Sequence, residues 1–370
     1  MDREAVVDLG AITANVAALC AHVAGSQVMA VVKADGYGHG IVPAARAALA
    51  GGAAWLGVAD LDEGLELRRA GITAPVLALM AIGDPAKAIA AGIDVTAGSA
   101  AFAAKIAAAA GPAGVPARLH LEADTGLNRG GATPADWPGL VEAALEAQDH
   151  GLVRVVGLWS HFACADMPGH PSVAAQLAAF GDAVGYAEKA GVHPEVRHIA
   201  NTAAALTVPA SRLDLVRFGG ALYGLSTLPG GAPPWLRPAM TLRARLAMVK
   251  RVPPGSGVSY GFRYVTDRET TLGLVPLGYA DGVPRTATGH PLVLARGRRW
   301  PIAGTVCMDQ FVIDFGDEPV AAGDEVVMFG PGDAGEPTAQ EWGETLATIS
   351  YELACGIGPR VPRTYPGDPR

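Results

Sequence analysis

The sequence predicts an α/β chain in which an N-terminal (β/α)8 barrel is followed by a mainly β domain. Three observations lead there. Roughly the first 220 of 370 residues repeat one unit: an apolar run, a loop rich in Gly, Asp or Asn, then an Ala-rich helical stretch. The apolar runs are near-continuous rather than alternating, which marks strands buried on both faces and hence a parallel sheet. The pattern then changes after a Pro/Gly-rich stretch, PGGAPPWLRP, at 229–238.

The expected barrel strands are 28–33, 54–58, 75–80, 94–98, 117–124, 153–161, 196–201 and 213–219. Asp60, Asp84, Ser99, Thr133 and Ser172 suit the caps or first turns of the helices between them. Eight consecutive strand–helix units is the count of a closed barrel; an open doubly wound sheet seldom needs so many without an antiparallel edge. Beyond the linker, shorter strands are expected at 241–252, 271–277, 291–295, 300–306, 311–315 and 325–329, separated by Pro/Gly/Asp turns. A helix pair over 338–346 and 348–355 interrupts them. The expected domains are residues 1–235, the barrel, and 236–370, the β domain.

Composition narrows the function. Half the residues are hydrophobic and 17% are charged, enough for a large core, and the net charge is −8. That balance argues against nucleic acid or an anionic membrane as partner. The four cysteines are scattered and form no C-x-x-C pair, so neither a disulfide framework nor a metal site is expected. No secretory signal and no apolar run long enough to span a bilayer is visible, so the cytoplasm is the expected location.

Polar residues collect at strand ends. Lys33 closes the first strand, Glu122 and Asp124 the fifth, His161 the sixth and Asn201 the seventh; Arg217 lies near the end of the eighth. In a (β/α)8 barrel all of these open onto the C-terminal face, where active sites sit. Any one could be a solvated strand end, but six of different chemistry converging on one mouth point to a site. A buried lysine there has a lowered amine pKa, as a Schiff-base lysine requires. His39, His120 and His198 read as structural.

Lys33 lies in VVKADGYGHG, which resembles the cofactor-attachment segment of the alanine racemase family, the fold type III pyridoxal-phosphate enzymes. The resemblance continues through DTGLNRGG (124–131), GLWSHFACAD (157–166), HIANTAAAL (198–206) and VRFGGALYG (216–224). It extends through VSYGF (258–262), GYADG (278–282), VCMDQ (306–310) and ISYELAC (349–355), in family order across nearly the whole chain. It implies that Lys33 binds pyridoxal 5'-phosphate and acts as base on one face of the substrate. Tyr260, reaching in from the partner of a homodimer, would be the base on the other face. Tyr37, Asn201, Thr202, Gly219, Gly220 and Tyr351 would hold the phosphate end. Arg217 would donate to the pyridine nitrogen, with His161 bridging to it, and Arg129 and the Met308 backbone would face the substrate carboxylate. The implied reaction interconverts L- and D-alanine, serving cell-wall (peptidoglycan) or secondary-metabolite synthesis. A racemase for serine or lysine on the same frame is the alternative.

Glu122 departs from the family pattern, which has a commonly carbamylated lysine there. Its carboxylate is expected to supply the same charge and to pair with Arg129, though its side chain falls short by roughly 4 Å at ordinary bond lengths. Arg217 is informative too. An arginine does not readily give up its proton, so a ring nitrogen facing it stays unprotonated, which favours racemisation over transamination. Decarboxylases of the same fold have an acidic residue there.

Overall fold

The computed structural model describes residues 2–290 and 292–367. Its first strand, β1 (Arg3–Val7), precedes the barrel. The barrel strands follow: β2 (Gln27–Val31), β3 (Trp55–Val58), β4 (Val76–Ala78), β5 (Asp94–Ala97), β6 (Ala117–Glu122), β7 (Val153–Trp159), β8 (Val196–His198) and β9 (Leu215–Phe218). They form one parallel sheet in the order β8-β7-β6-β5-β4-β3-β2-β9. The seam between β8 and β9 is bridged by Arg217 N–H donating to Ala200 O (3.0 Å) and Asp214 N–H to Arg197 O (3.3 Å). The predicted (β/α)8 barrel is therefore present.

Strand parity divides the barrel into two cores. Val28, Ala30, Val32, Leu119, Leu121, Val216 and Phe218 point outward and pack under the helices in the main core. Met29, Val31, Trp55, Leu77, Val196 and Leu215 fill the interior as a separate cluster. Alanine-rich helices make the outer layer thin: Ala44, Ala45 and Ala48 of the helix Ile41–Ala50 are fully buried. The predicted caps are seen at Asp60, Asp84 and Ser99, whose side chains accept from backbone N–H groups of the first turn. At the helix Pro171–Ala190 the cap is His170, and Ser172 lies one residue inside.

The C-terminal half is mainly β, as predicted. Its strands are β10 (Met240–Arg245), β11 (Met248–Val252), β12 (Gly257–Val258), β13 (Tyr264–Val265), β14 (Thr270–Val275), β15 (Val293–Ala295), β16 (Arg298–Trp300), β17 (Ile302–Ala303), β18 (Phe311–Gly316), β19 (Glu325–Phe329) and β20 (Arg363–Thr364). The run expected as one strand over 241–252 is broken at Leu246, whose N–H turns aside to Asp324 O, and its halves enter different sheets. The run expected over 300–306 is likewise divided, Trp300 ending β16 while only Ile302 and Ala303 form β17. Pro291 of the expected 291–295 strand lies outside the described residues. The helix pair is found at Ala339–Leu346 and Ser350–Cys355.

Four of the described strands, β1, β12, β13 and β20, have no counterpart among the expected ones. β1 pairs antiparallel with β10 and parallel with β20, so the chain begins in the C-terminal sheet before entering the barrel. Its alternating burial, with Ala5 and Val7 inward, is the half-buried pattern of such a sheet. No helix of the described residues is long and apolar enough to cross a membrane.

Candidate active site

At the C-terminal mouth of the barrel lies a cavity of about 680 Å³. Lys33, Tyr37, Glu122, Arg129, His161, Asn201, Thr202, Arg217, Gly219, Gly220 and Tyr351 all line it. Tyr260 and Met308 do not; they sit on the β domain, 73% and 53% exposed.

Lys33 does not end a strand as expected: β2 stops at Val31, and Lys33 opens a turn. Ala34, Asp35, Gly36 and Tyr37 all have positive φ, between 53° and 62°. Three of them carry a Cβ, at a cost of roughly 1–2 kcal/mol each. Tertiary bonds offset this. Glu63 accepts from Ala34 N–H and Ala59 N–H, both at 2.7 Å, tying the loop after β2 to the loop after β3. Asp35 accepts from Ile41 N–H at 2.9 Å, starting the next helix. The sequence reading missed Glu63, because its spacing from Asp60 looks like an ordinary helix-capping pair. Burial, reinforced by Arg129 and Arg217, holds the Lys33 ammonium below the usual lysine range.

Arg217 is braced on every side but one. Nη1 donates to His198 Nδ1 (2.9 Å) and His198 O (3.2 Å). Nη2 donates to Ser160 O (2.9 Å), His161 Nδ1 (2.9 Å) and Ile199 O (3.2 Å). The guanidinium also lies over Trp159, its carbon 5.0 Å from the ring centroid. Among the described residues, Nε–H has no protein acceptor. Burial pulls the guanidinium down to about 9, opposed by Glu122, and it remains a cation at neutral pH. Burial and the cations Arg217, Arg129 and Lys33 hold His161 neutral.

Glu122 faces the cavity, but no ion pair with Arg129 is formed, a departure from the expected pairing. Its short side chain leaves both groups lining the same space without a direct pair. Burial outweighs the pull of Arg217 and Arg129 and pushes the carboxyl up to about 7. Asp124 turns away and shapes the loop instead, accepting from Gly126 N–H and Asn128 N–H.

Opposite, Asn201 caps the short helix Thr202–Thr207 through Ala204 N–H, and Thr202 Oγ accepts from Gly219 N–H at 3.1 Å. A Cβ at Gly219 would collide with the Tyr37 hydroxyl, and one at Gly220 with the Tyr351 ring. The two glycines thus let two phenols close on one end of the cavity.

Tyr260 and Met308 sit on adjacent loops of the β domain. Ser259 and Phe262, at φ +62° and +45°, bend the first loop outward. Thr305 Oγ donates to Tyr260 O (2.9 Å) and Ser259 Oγ to Thr305 O (2.6 Å), bolting it to the strand end that leads to Met308. Ala280 N–H holds Met308 O at 2.9 Å.

A barrel with this mouth, joined to a β domain, defines an enzyme of the amino-acid racemase class. The family model described as alanine racemase, N-terminal domain, matches residues 7–227, and that of the C-terminal domain matches residues 239–365. The chain belongs to the alanine racemase family. It is 60% identical over 366 residues to the alanine racemase of Thermobifida fusca, with 98% of each chain covered. Among solved structures, alanine racemase from the D-cycloserine producer Streptomyces lavendulae superposes with a TM-score of 0.97 at 53% identity, covering 100% of this chain and 98% of that one. The Bacillus anthracis alanine racemase with bound L-Ala-P gives 0.91 at 34%, covering 100% and 96%.

Proposed function

We infer that the protein interconverts L- and D-alanine with pyridoxal 5'-phosphate, working in the cytoplasm as a homodimer whose two active sites are each built from both chains. The observation that carries this is the cavity shared by Lys33, with its amine pKa lowered, and an Arg217 whose Nε–H is open among the described residues.

The donor set fits the cofactor. Two phenols, a threonine hydroxyl and a helix start crowd one end of the cavity, where a phosphate would be held by Tyr37, Thr202, Tyr351 and the backbone around Gly219 and Gly220, with Asn201 setting the helix start. Arg217 would meet the ring nitrogen and Lys33 would hold the group covalently. Pyridoxal phosphate supplies the sink that stabilises negative charge at a substrate Cα.

Racemisation removes the Cα proton on one face and returns one on the other, which two bases on opposite faces accomplish most simply. Lys33 is the base from the barrel, kept near its working state by burial. Tyr260 of the partner subunit is the base from the other side, which gives its outward-bent loop a purpose. Arg129 and the partner subunit's Met308 backbone orient the substrate carboxylate, and Glu122, when ionised, balances the Arg129 charge across the cavity without a direct pair. His161 buttresses Arg217. Arg217, which keeps its proton, would leave a ring nitrogen facing it unprotonated and so restrain transamination. The test is a panel of L-amino acids incubated with the holoenzyme, followed by chiral analysis of products. Alanine should racemise fastest; preferential turnover of serine or lysine would overturn the substrate assignment.

A further inference from the structure

Four polar side chains run up the inside of the barrel beneath the cavity, and no step above uses three of them. Asp94 opens β5 at the barrel's closed end, His120 is midway along β6, His198 ends β8, and Arg217 lies in β9. All are buried. Consecutive members are bonded: Arg217 Nη1 to His198 Nδ1 at 2.9 Å, His198 Nε2 to His120 Nδ1 at 3.1 Å, and His120 Nε2 to Asp94 Oδ2 at 3.2 Å.

The direction of every bond follows from which atoms can donate. A guanidinium has no acceptor, so His198 Nδ1 must present a lone pair, leaving its proton on Nε2. That proton can be donated only if His120 Nδ1 is also a lone pair. His120 therefore carries its proton on Nε2 and donates to the Asp94 carboxylate. The chain runs one way, from cation to anion. Apolar walls keep it dry: Trp55 stands edge-on to His120 and Trp159 stacks on His198. A Cβ at position 157 would overlap the His120 ring, so Gly157 is what admits that ring to the barrel axis. Where water is excluded, a reversed tautomer would set two donors face to face with nothing to relieve them.

We propose that Asp94 is a positioning residue for Arg217, acting through His120 and His198 to lock both imidazoles in the Nε2–H form and so present the acceptor that holds the guanidinium with Nε toward the cavity. The tautomers stand on geometry alone; the consequence for catalysis rests on the proposed role of Arg217. Asp94 also accepts from Arg118 Nε at 2.9 Å, and Arg118 continues to Glu195 at the rim. An asparagine at 94 could satisfy only one of these two donors. If its amide N–H faces His120, that ring must shift its proton to Nδ1, then His198 to Nδ1, and Arg217 loses its acceptor.

The experiment uses the full-length holoenzyme labelled with ¹⁵N-histidine, with resonances assigned by single histidine substitutions. In the wild type, His120 and His198 should both show Nε2–H. Asp94→Asn should convert at least His198 to Nδ1–H or to a mixture, and lower kcat about 10-fold with KM little changed, the scale on which outer partners of a site act. Arg118→Met removes the same carboxylate's other partner and should leave both tautomers and kcat near wild type. A wild-type His198 protonated at Nδ1 overturns the proposal without any variant, which covers the case in which Asp94→Asn does not fold. Unchanged tautomers in a folded Asp94→Asn protein overturn it as well. Altered tautomers with unchanged kcat would leave the relay standing and count against the role given to Arg217.

Discussion

Lys33 lies in the barrel mouth beside groups such as Arg217 and His161 that are bonded in place, whereas Tyr260 stands 73% exposed on a loop bent outward by left-handed residues. The first region has its chemistry set by burial: the Lys33, Arg217 and His161 pKa values all move down, and Glu122 moves up. The second has its backbone fixed, by Thr305, Ser259 and Ala280, beneath the exposed Tyr260 and Met308 side chains. On the proposed reading, one chain thus contains a finished cofactor half and an unfinished substrate half. Rigid backbone beneath exposed side chains is what a site completed by a second copy needs, because the side chains must already be aimed when the copies meet.

The largest effect should come from the finished half. Lys33→Ala should lower racemisation by about 1000-fold or more, and borohydride trapping on the wild type should label a peptide containing Lys33; a label elsewhere breaks the assignment.

Arg217→Glu should come next, cutting racemisation by about 100-fold while pyruvate and pyridoxamine phosphate, scored by chromatography, begin to accumulate. A variant that binds cofactor with unchanged partitioning contradicts the role given to arginine.

Mixing the two halves tests the comparison directly. Inactive Lys33→Ala and Tyr260→Phe proteins, allowed to exchange subunits, should recover about one quarter of wild-type activity, since half the dimers would carry one intact site of two. Demonstrated exchange with no recovery rules out shared sites.

Glu122→Gln should act more mildly and in a pH-dependent way. With the wild-type carboxyl near 7, both proteins are mostly neutral at that position at pH 6. At pH 8 only the wild type carries the charge, so the loss should reach about 10-fold there and shrink at pH 6. Full activity at both values would show that Arg129 needs no anion.

The smallest effect concerns stability. His39, His161 and His198 are held below the ordinary imidazole value of 6.5, His39 at about 4. The unfolded chain therefore binds more protons between those values, and the stability from keeping these rings neutral is complete above 6.5 and drains as pH falls towards 4. Protonation of Glu122 works the other way, but is one group against three. Scanning calorimetry should show Tm dropping on the order of 5 °C from pH 7 to pH 5; a rise would refute it.

The sequence by itself determined the eight strand–helix units, the change of pattern at 229–238, and the list of polar strand ends, because these are periodic or local signals that no tertiary contact has to supply. The blocks around Lys33 and Tyr260 were equally legible as a resemblance. Tertiary structure alone decided the rest. No local rule predicts three non-glycine residues in a left-handed turn after Lys33; Glu63, from the next strand–helix unit, pins it. β1 reads as a short polar-flanked start until β10, some 230 residues later, supplies its partner. His120 and His198 look like isolated core histidines in the sequence, since a histidine's role is set by what faces each ring nitrogen. Closing the barrel places Asp94 under one and Arg217 above the other, and only that closure fixes which nitrogen carries the proton.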